Sequence, residues 1–253
     1  MIHKPCFRPT RAARLRDESR EAYMELLAER TLPRLWRRLR ARMRRRLFVV
    51  AIGGSKTAKR ILDVLTAAFL LLLLVPLFIA VALAIKLTDR GSVLFWQTRV
   101  GRHGREFKFP KFRSMVANAE ALKQELLAFN DHGDGITFKM KRDPRITWIG
   151  RIIRRTSIDE LPQLWNVLVG QMSLVGPRPP VPKEVLLYSV ADRRRLDAVP
   201  GLTCIWQVSG RGDIPFPEQV RLDVQYIDNQ SFWLDVGLLI QTVPAVLSGK
   251  GAY

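Results

Sequence analysis

The stretch Thr156–Pro179, TSIDELPQLWNVLVGQMSLVGPRP, sets two adjacent carboxylates, Asp159 and Glu160, between Arg151, Arg154 and Arg155 on one side and Arg178 on the other. Pro162 constrains its geometry, because a proline inside a helix removes a backbone hydrogen bond and clashes with the carbonyl four residues back. The pattern predicts a helix from Asp159 to Val169, with Glu160, Leu161 and Pro162 in its first turn. Both carboxylates then sit at the positive end of the helix dipole, where anions and cation-bridged phosphates are also favoured. The same residues fit a structural role as well, with Asp159 as an N-cap or Ser157 and Glu160 as a capping box. Acids in a basic frame, downstream of a membrane-length apolar run, point to phosphate chemistry at a bilayer surface.

That run, Val64 to Ile85, is 22 residues without a charge. At about 1.5 Å per residue a straight helix of this length just crosses a hydrocarbon core of about 30 Å. Periodicity alone therefore fits a spanning helix kinked at Pro76. The flanks argue otherwise: Lys59 and Arg60 precede the run, and Lys86, Arg90, Arg99 and Arg102 follow it. Positive charge favours the cytoplasmic side of a membrane segment, so both ends ask to be inside. A bend at Pro76, the membrane hinge, lets the segment enter and return within one leaflet.

Charge is concentrated before the run. Residues 1–50 hold 15 Lys or Arg against 5 Asp or Glu, about half of a net charge of +19 over 253 residues. Leu32, Leu35, Trp36, Leu39, Met43 and Leu47 recur at helical spacing among arginines, the pattern of an interfacial helix on anionic lipid. A solvated basic leader and a nucleic-acid arm are the other readings, but no recognised nucleic-acid fold follows. Cys6 and Cys204 lie far apart and His3, His103 and His132 are isolated, which argues against zinc ligation and a disulfide framework and for a reducing compartment. The glycines of Gly101–Arg105 do not fit a phosphate-loop or dinucleotide fingerprint and read as a turn.

Beyond the run the pattern predicts strands at Val93–Gln97 and Glu106–Phe112, an amphipathic helix at Ala117–Phe129 and a loop at Asn130–Gly135. Further helices are expected at Ile149–Arg155, Pro182–Leu187, Ala191–Asp197, Pro217–Asn229 and Trp233–Leu247. The fold class is α/β and α-rich. The organisation read is a basic amphipathic leader at 1–58, a re-entrant membrane helix hairpin at 59–90 and a single cytoplasmic catalytic domain at 91–253.

Several motifs stand in an order that resembles the bacterial sugar transferase family, the monotopic polyprenyl-phosphate hexose-1-phosphate transferases. They are KRILD (Lys59–Asp63), Gly101–Met115, Asp143–Pro179, Pro200–Arg211 and the terminal GKGAY. The resemblance implies that Asp159 is a nucleophile and that Glu160 helps to hold Mg²⁺. It also implies a UDP-sugar donor, a polyprenyl phosphate acceptor such as undecaprenyl phosphate, and an aspartyl phosphosugar intermediate. The place implied is the bacterial inner membrane with the catalytic domain on its cytoplasmic face. The chain departs from the family in having Val75-Pro76 where Ser-Pro is frequent, Gln171 where an acid is common and Cys204 where glycine is common.

The chemistry of the side chains adds phosphate contacts. Arg154 and Arg178 offer planar forks suited to two phosphate oxygens, and Pro177 and Pro179 restrain the backbone that aims Arg178. Asp143 and Arg145 are further candidates. Anionic membrane lipid is an expected partner, nucleic acid is not, and a homodimer is left open. The competing classes are a catalytically silent membrane scaffold and a membrane-tethered nucleic-acid binder.

Overall fold

The computed structural model describes residues 56–126 and 143–249, with Arg40, Met140 and Gly251. The basic leader, apart from the helical Arg40 and residues 56–58, and the expected loop at Asn130–Gly135 lie outside the described residues. Residues 58–253 form one compact unit. It is mixed α/β and rich in helix.

The apolar run forms two helices, α1 (Lys56–Leu73) and α2 (Val75–Asp89), bent by 58° at Leu74. Among the described residues no single helix is long and apolar enough to cross a membrane. The bend has a local cause. Pro76 has no N–H for the Leu72 carbonyl, whereas Leu74 N–H still reaches Leu70 O and Phe78 N–H reaches Leu74 O, both at 2.9 Å. Ala67 of α1 and Val81 and Ile85 of α2 are buried, while Leu65, Phe69, Leu72, Ile79, Leu83 and Leu87 remain exposed. One stripe of the bent pair therefore packs on protein and the other has no cover.

Polar contacts fasten α1 to the rest of the unit. Arg60 donates to the carbonyls of Val167 (2.6 Å) and Leu168 (2.9 Å), and Asp63 accepts from Leu174 N–H at 3.1 Å. Lys59 pairs with Asp235 and donates to Val175 O. The KRILD motif is thus the seam between the bent helix pair and the rest of the unit.

Strands β1 (Leu94–Val100) and β2 (Glu106–Phe112) pair antiparallel, with Arg99 opposite Phe107 and Phe95 opposite Lys111. The intervening turn, Arg102–Gly104, holds His103 at φ 58°, as the turn reading of this segment expects. β1 runs three residues past the expected Gln97. Then follow α3 (Ala119–Leu126), shorter than expected within the described residues, and α4 (Trp148–Arg155), capped by the Thr147 hydroxyl on Gly150 N–H.

A single helix over Asp159–Val169 was expected; the structure instead holds a 3₁₀ turn at Ile158–Gln163 followed by α5 (Leu164–Val169). Pro162 lies inside the 3₁₀ turn, whose tighter winding tolerates the missing donor before the α-helix starts. The chain continues through β3 (Ser173–Val175), α6 (Pro182–Leu186), a 3₁₀ turn at Asp192–Leu196, β4 (Gly201–Thr203), α7 (Ile205–Ser209), a 3₁₀ turn at Arg211–Asp213, α8 (Phe216–Asp228) and α9 (Phe232–Ser248). Ala191–Asp197, expected as an α-helix, is the 3₁₀ turn. β3 and β4 pair in parallel and had no counterpart in the sequence pattern.

The main core gathers Phe107 and Phe109 of β2, Leu164 and Val167 of α5, Leu174 of β3 and Tyr226 of α8. A second core joins Val81 and Ile85 to Phe112, Ile149 and Ile153. β2 therefore serves both, and its last residues lie between them, against the 3₁₀ turn that carries Asp159 and Glu160.

Candidate active site

Ser157 adopts a left-handed backbone, φ 56°, immediately before the 3₁₀ turn, and its side chain makes no cap hydrogen bond. Neither capping role suggested by the sequence occurs. Holding a non-glycine residue there costs on the order of 1 kcal/mol. This residue joins the end of α4 to the 3₁₀ turn, from which Asp159 and Glu160 both line a cavity of about 960 Å³.

Glu160 is held by two cations. Lys111 of β2 donates to Oε1 at 2.9 Å, and Arg178 donates through Nη2 to Oε1 at 2.6 Å and through Nη1 to Oε2 at 3.2 Å. Burial opposes its charge, but Arg178 and Lys111 outweigh it and hold the Glu160 carboxyl well below the usual carboxylate range. Asp159 has a different environment. No hydrogen bond reaches its carboxylate among the described residues; burial, then the Glu160 charge, push its pKa up to about 6, against the pull of Lys111, Arg154 and Arg178. Two neighbouring acids thus differ in kind: one is a fixed anion inside an ion-pair cluster, the other a desolvated carboxylate open to the cavity. Burial is the larger of the two causes that set Asp159 apart from an ordinary aspartate.

Arg154, at the C-terminal end of α4, and Arg178 both line the cavity. Arg151 and Arg155 are exposed and do not. Arg145 also borders the cavity, but its guanidinium is engaged: Nε and Nη2 donate to Asp143 at 2.9 and 2.6 Å, and Nη1 donates to Ala119 O. The pair buttresses the wall.

Three further cations reach the same space from elements the sequence reading did not connect. Lys111 and Arg99 lie on the inward face of the hairpin, each with its charge over the Phe109 ring, at 5.3 and 5.1 Å from the centroid. Arg211, at φ 53°, comes from the turn after α7 and feels the Glu160 and Asp159 charges. A signal for Lys111 exists in the sequence. It shares a strand face with Phe107 and Phe109, and a lysine at a core-facing position is unusual.

A divalent cation is compatible with this donor set. Mg²⁺ takes few protein carboxylates and keeps water and phosphate for its other positions. The Asp159 carboxylate and the less occupied Glu160 Oε2 provide hard oxygen donors. Among the described residues no group of three or more His, Cys, Asp or Glu could hold an ion by itself.

The sequence has clear relatives. Residues 54–249 match the sequence model of the family described as bacterial sugar transferase. The chain is 50% identical over 198 residues to the galactosyl transferase CpsE of Streptococcus agalactiae, covering 77% of this chain and 43% of that protein. It is 42% identical over 205 residues to the exopolysaccharide production protein ExoY of Rhizobium meliloti, covering 80% and 90%. Identity is 41% over 203 residues to a UDP-glucose:undecaprenyl-phosphate glucose-1-phosphate transferase of Caulobacter vibrioides, covering 77% and 72%. The chain thus spans under half of the streptococcal protein and most of the other two.

Proposed function

The chain belongs to the bacterial sugar transferase family, and from that premise we propose that it moves a hexose-1-phosphate from a UDP-sugar to a polyprenyl phosphate, such as undecaprenyl phosphate, as the first step of exopolysaccharide or related glycan assembly. The observation that carries the reading is the unequal pair, a desolvated Asp159 beside a Glu160 fixed by Lys111 and Arg178.

Asp159 is the nucleophile. One of its oxygens bonds to the sugar-proximal phosphorus, the bond to the bridging oxygen breaks, and UMP leaves with that electron pair. No proton need move, since the attacking carboxylate and the departing phosphate are both anions. Removal from water makes the carboxylate a stronger nucleophile, at the cost of a higher pKa. Lys111, Arg154 and Arg178 offset the phosphate charge, and Arg178 is restrained by its flanking prolines. Glu160 and Asp159 would hold Mg²⁺, which supplies charge neutralisation on the diphosphate when bound. The oxygen of the polyprenyl phosphate then attacks the same phosphorus and frees the aspartate.

The acceptor explains the anchor. The uncovered stripe of α1 and α2 suits lipid, and a re-entrant hairpin at Pro76 keeps both flanking cationic ends on the cytoplasmic face of the inner membrane. Cysteines placed singly near Ala58 and near Ser92, in a background without Cys6 and Cys204, are expected to be shielded from an impermeant thiol reagent outside intact cells. Labelling at one site alone would establish a spanning helix. Pro76→Leu is expected to shift some molecules to that spanning form.

The deciding experiment is a panel of UDP-sugars with undecaprenyl phosphate in membrane fractions, following UMP and the lipid product together. UMP release that needs both substrates and Mg²⁺ is expected for one donor class; no release with any donor would leave the scaffold reading. Two finer outcomes follow. The UMP burst should weaken tenfold per pH unit below about 6, because protonated Asp159 cannot attack. Glu160→Gln should raise the Mg²⁺ concentration needed for half-maximal rate; an unchanged requirement would make Glu160 a positioning residue for Lys111 and Arg178 alone.

A further inference from the structure

Arg99 lines the cavity from β1 and forms no ion pair among the described residues. Its Nη1 donates to Pro179 O at 2.9 Å, and its guanidinium lies 5.1 Å from the centre of the Phe109 ring. Its Nε is buried and has no hydrogen-bond partner. A buried charge without a counter-charge and a buried donor without an acceptor are both costly. Burial and the nearby Arg178 lower the Arg99 pKa to about 10, which still leaves the group charged at neutral pH. The neighbouring acids are committed elsewhere. Glu184 Oε2 accepts from Val181 N–H at the start of α6, and Glu160 is bonded to Lys111 and Arg178. Support of the Pro179 carbonyl accounts for Nη1 and leaves Nε unexplained.

Its position relative to the nucleophile is informative. The strongest charges felt by Asp159 are those of Glu160, Lys111, Arg154 and Arg178, whereas Arg99 feels chiefly Arg178, Glu184 and Glu160. Arg99 shares the Phe109 ring with Lys111 and holds the carbonyl of Pro179, next to Arg178, so it lies beside the two cations that bind Glu160 and is not among those that act most on Asp159. In an in-line phosphoryl displacement the leaving oxygen departs on the side opposite the nucleophile. We propose, resting on the transferase reading above, that Arg99 binds the phosphate of the departing nucleoside monophosphate and takes up the charge that develops there. As the bridging bond breaks, the electron pair moves onto the nucleotide's phosphate, and the free Nε–H of Arg99 donates to one of its oxygens. Arg178 and Lys111 remain with the phosphate under attack.

The test is titration calorimetry of UMP and of uridine on the full chain in nanodiscs, for wild type, Arg99→Met and Arg99→Lys. Loss of a charge-assisted contact is expected to weaken UMP binding about 10- to 100-fold in Arg99→Met, with uridine binding unchanged. Arg99→Lys keeps a cation over Phe109 but lacks the Nε donor, so a smaller loss is expected, again for UMP alone; it carries the test should Arg99→Met fail to fold. In steady state the KM for polyprenyl phosphate should stay at the wild-type value while kcat/KM for the UDP-sugar falls. Equal losses for UMP and uridine, or unchanged UMP affinity in variants of an active wild type, would overturn the assignment. A wild type that releases no UMP from any donor sinks the transferase reading first, and this contact with it.

Discussion

Replacing Asp159 with asparagine should reduce UMP release by at least about three orders of magnitude while leaving the fold intact, because the variant keeps the shape of the side chain and loses the nucleophile. Stability should move the other way. The Asp159 pKa is raised from an ordinary 3.8 to about 6, so the folded state binds this proton more tightly than the unfolded chain does. Its favourable contribution is fully present below about pH 4 and is lost as the pH rises through about 6. At pH 7.5 the wild type therefore carries a desolvated charge that asparagine would remove, a gain of about 3 kcal/mol. Thermal melts of the purified proteins should show Asp159→Asn the more stable at pH 7.5 and the two equal near pH 4. Near-normal turnover in the variant would sink the nucleophile assignment; a lower melting temperature at pH 7.5 would show that the carboxylate is structural.

Gly201→Ala should be among the most damaging small changes in the chain. β3 and β4 approach so closely that a methyl group on Gly201 would lie 2.6 Å from both Cα and O of Gly176, and closer still to its amide nitrogen. Gly201 N–H also donates to Pro177 O at 2.9 Å, the residue before Arg178. The atoms in the way are backbone and cannot rotate aside, so the strands must separate at a cost of about 3 kcal/mol or more. Arg178 would then be displaced from Glu160. The expected result is a large drop in melting temperature together with a loss of activity in whatever fraction still folds. Full activity and unchanged stability would mean that the parallel pair is not as close as described.

The hairpin shows why some of this was legible in advance. Glu106–Phe112 alternates Phe107 and Phe109 with polar residues, and period-two alternation is a local property that needs no knowledge of the partner. The strand's bounds agree with the expected ones. The helices at Trp148–Arg155 and Phe216–Asp228 were likewise marked by spacing and differ by a residue or so. Pro76 was recognised as a breaking point because the loss of an N–H is written in one residue, and the bend falls at Leu74, two residues before it.

β3 and β4 were not legible. Each has three residues and pairs with a segment more than twenty positions away, so neither shows a period. The cations were hidden for a related reason. Arg99, Lys111 and Arg211 belong to separate segments, and nothing in their spacing says that β1, β2 and the turn after α7 converge on one cavity. By itself the sequence determined the apolar run, its break at proline, the hairpin and the adjacent acids with their arginine frame, all of which follow from backbone chemistry and short-range periodicity. Only the tertiary structure decided that Ser157 turns left-handed, that Glu160 is consumed by Lys111 and Arg178, and that Asp159 is left desolvated with a raised pKa. Burial and long-range charge are sums over neighbours that the chain brings together only on folding.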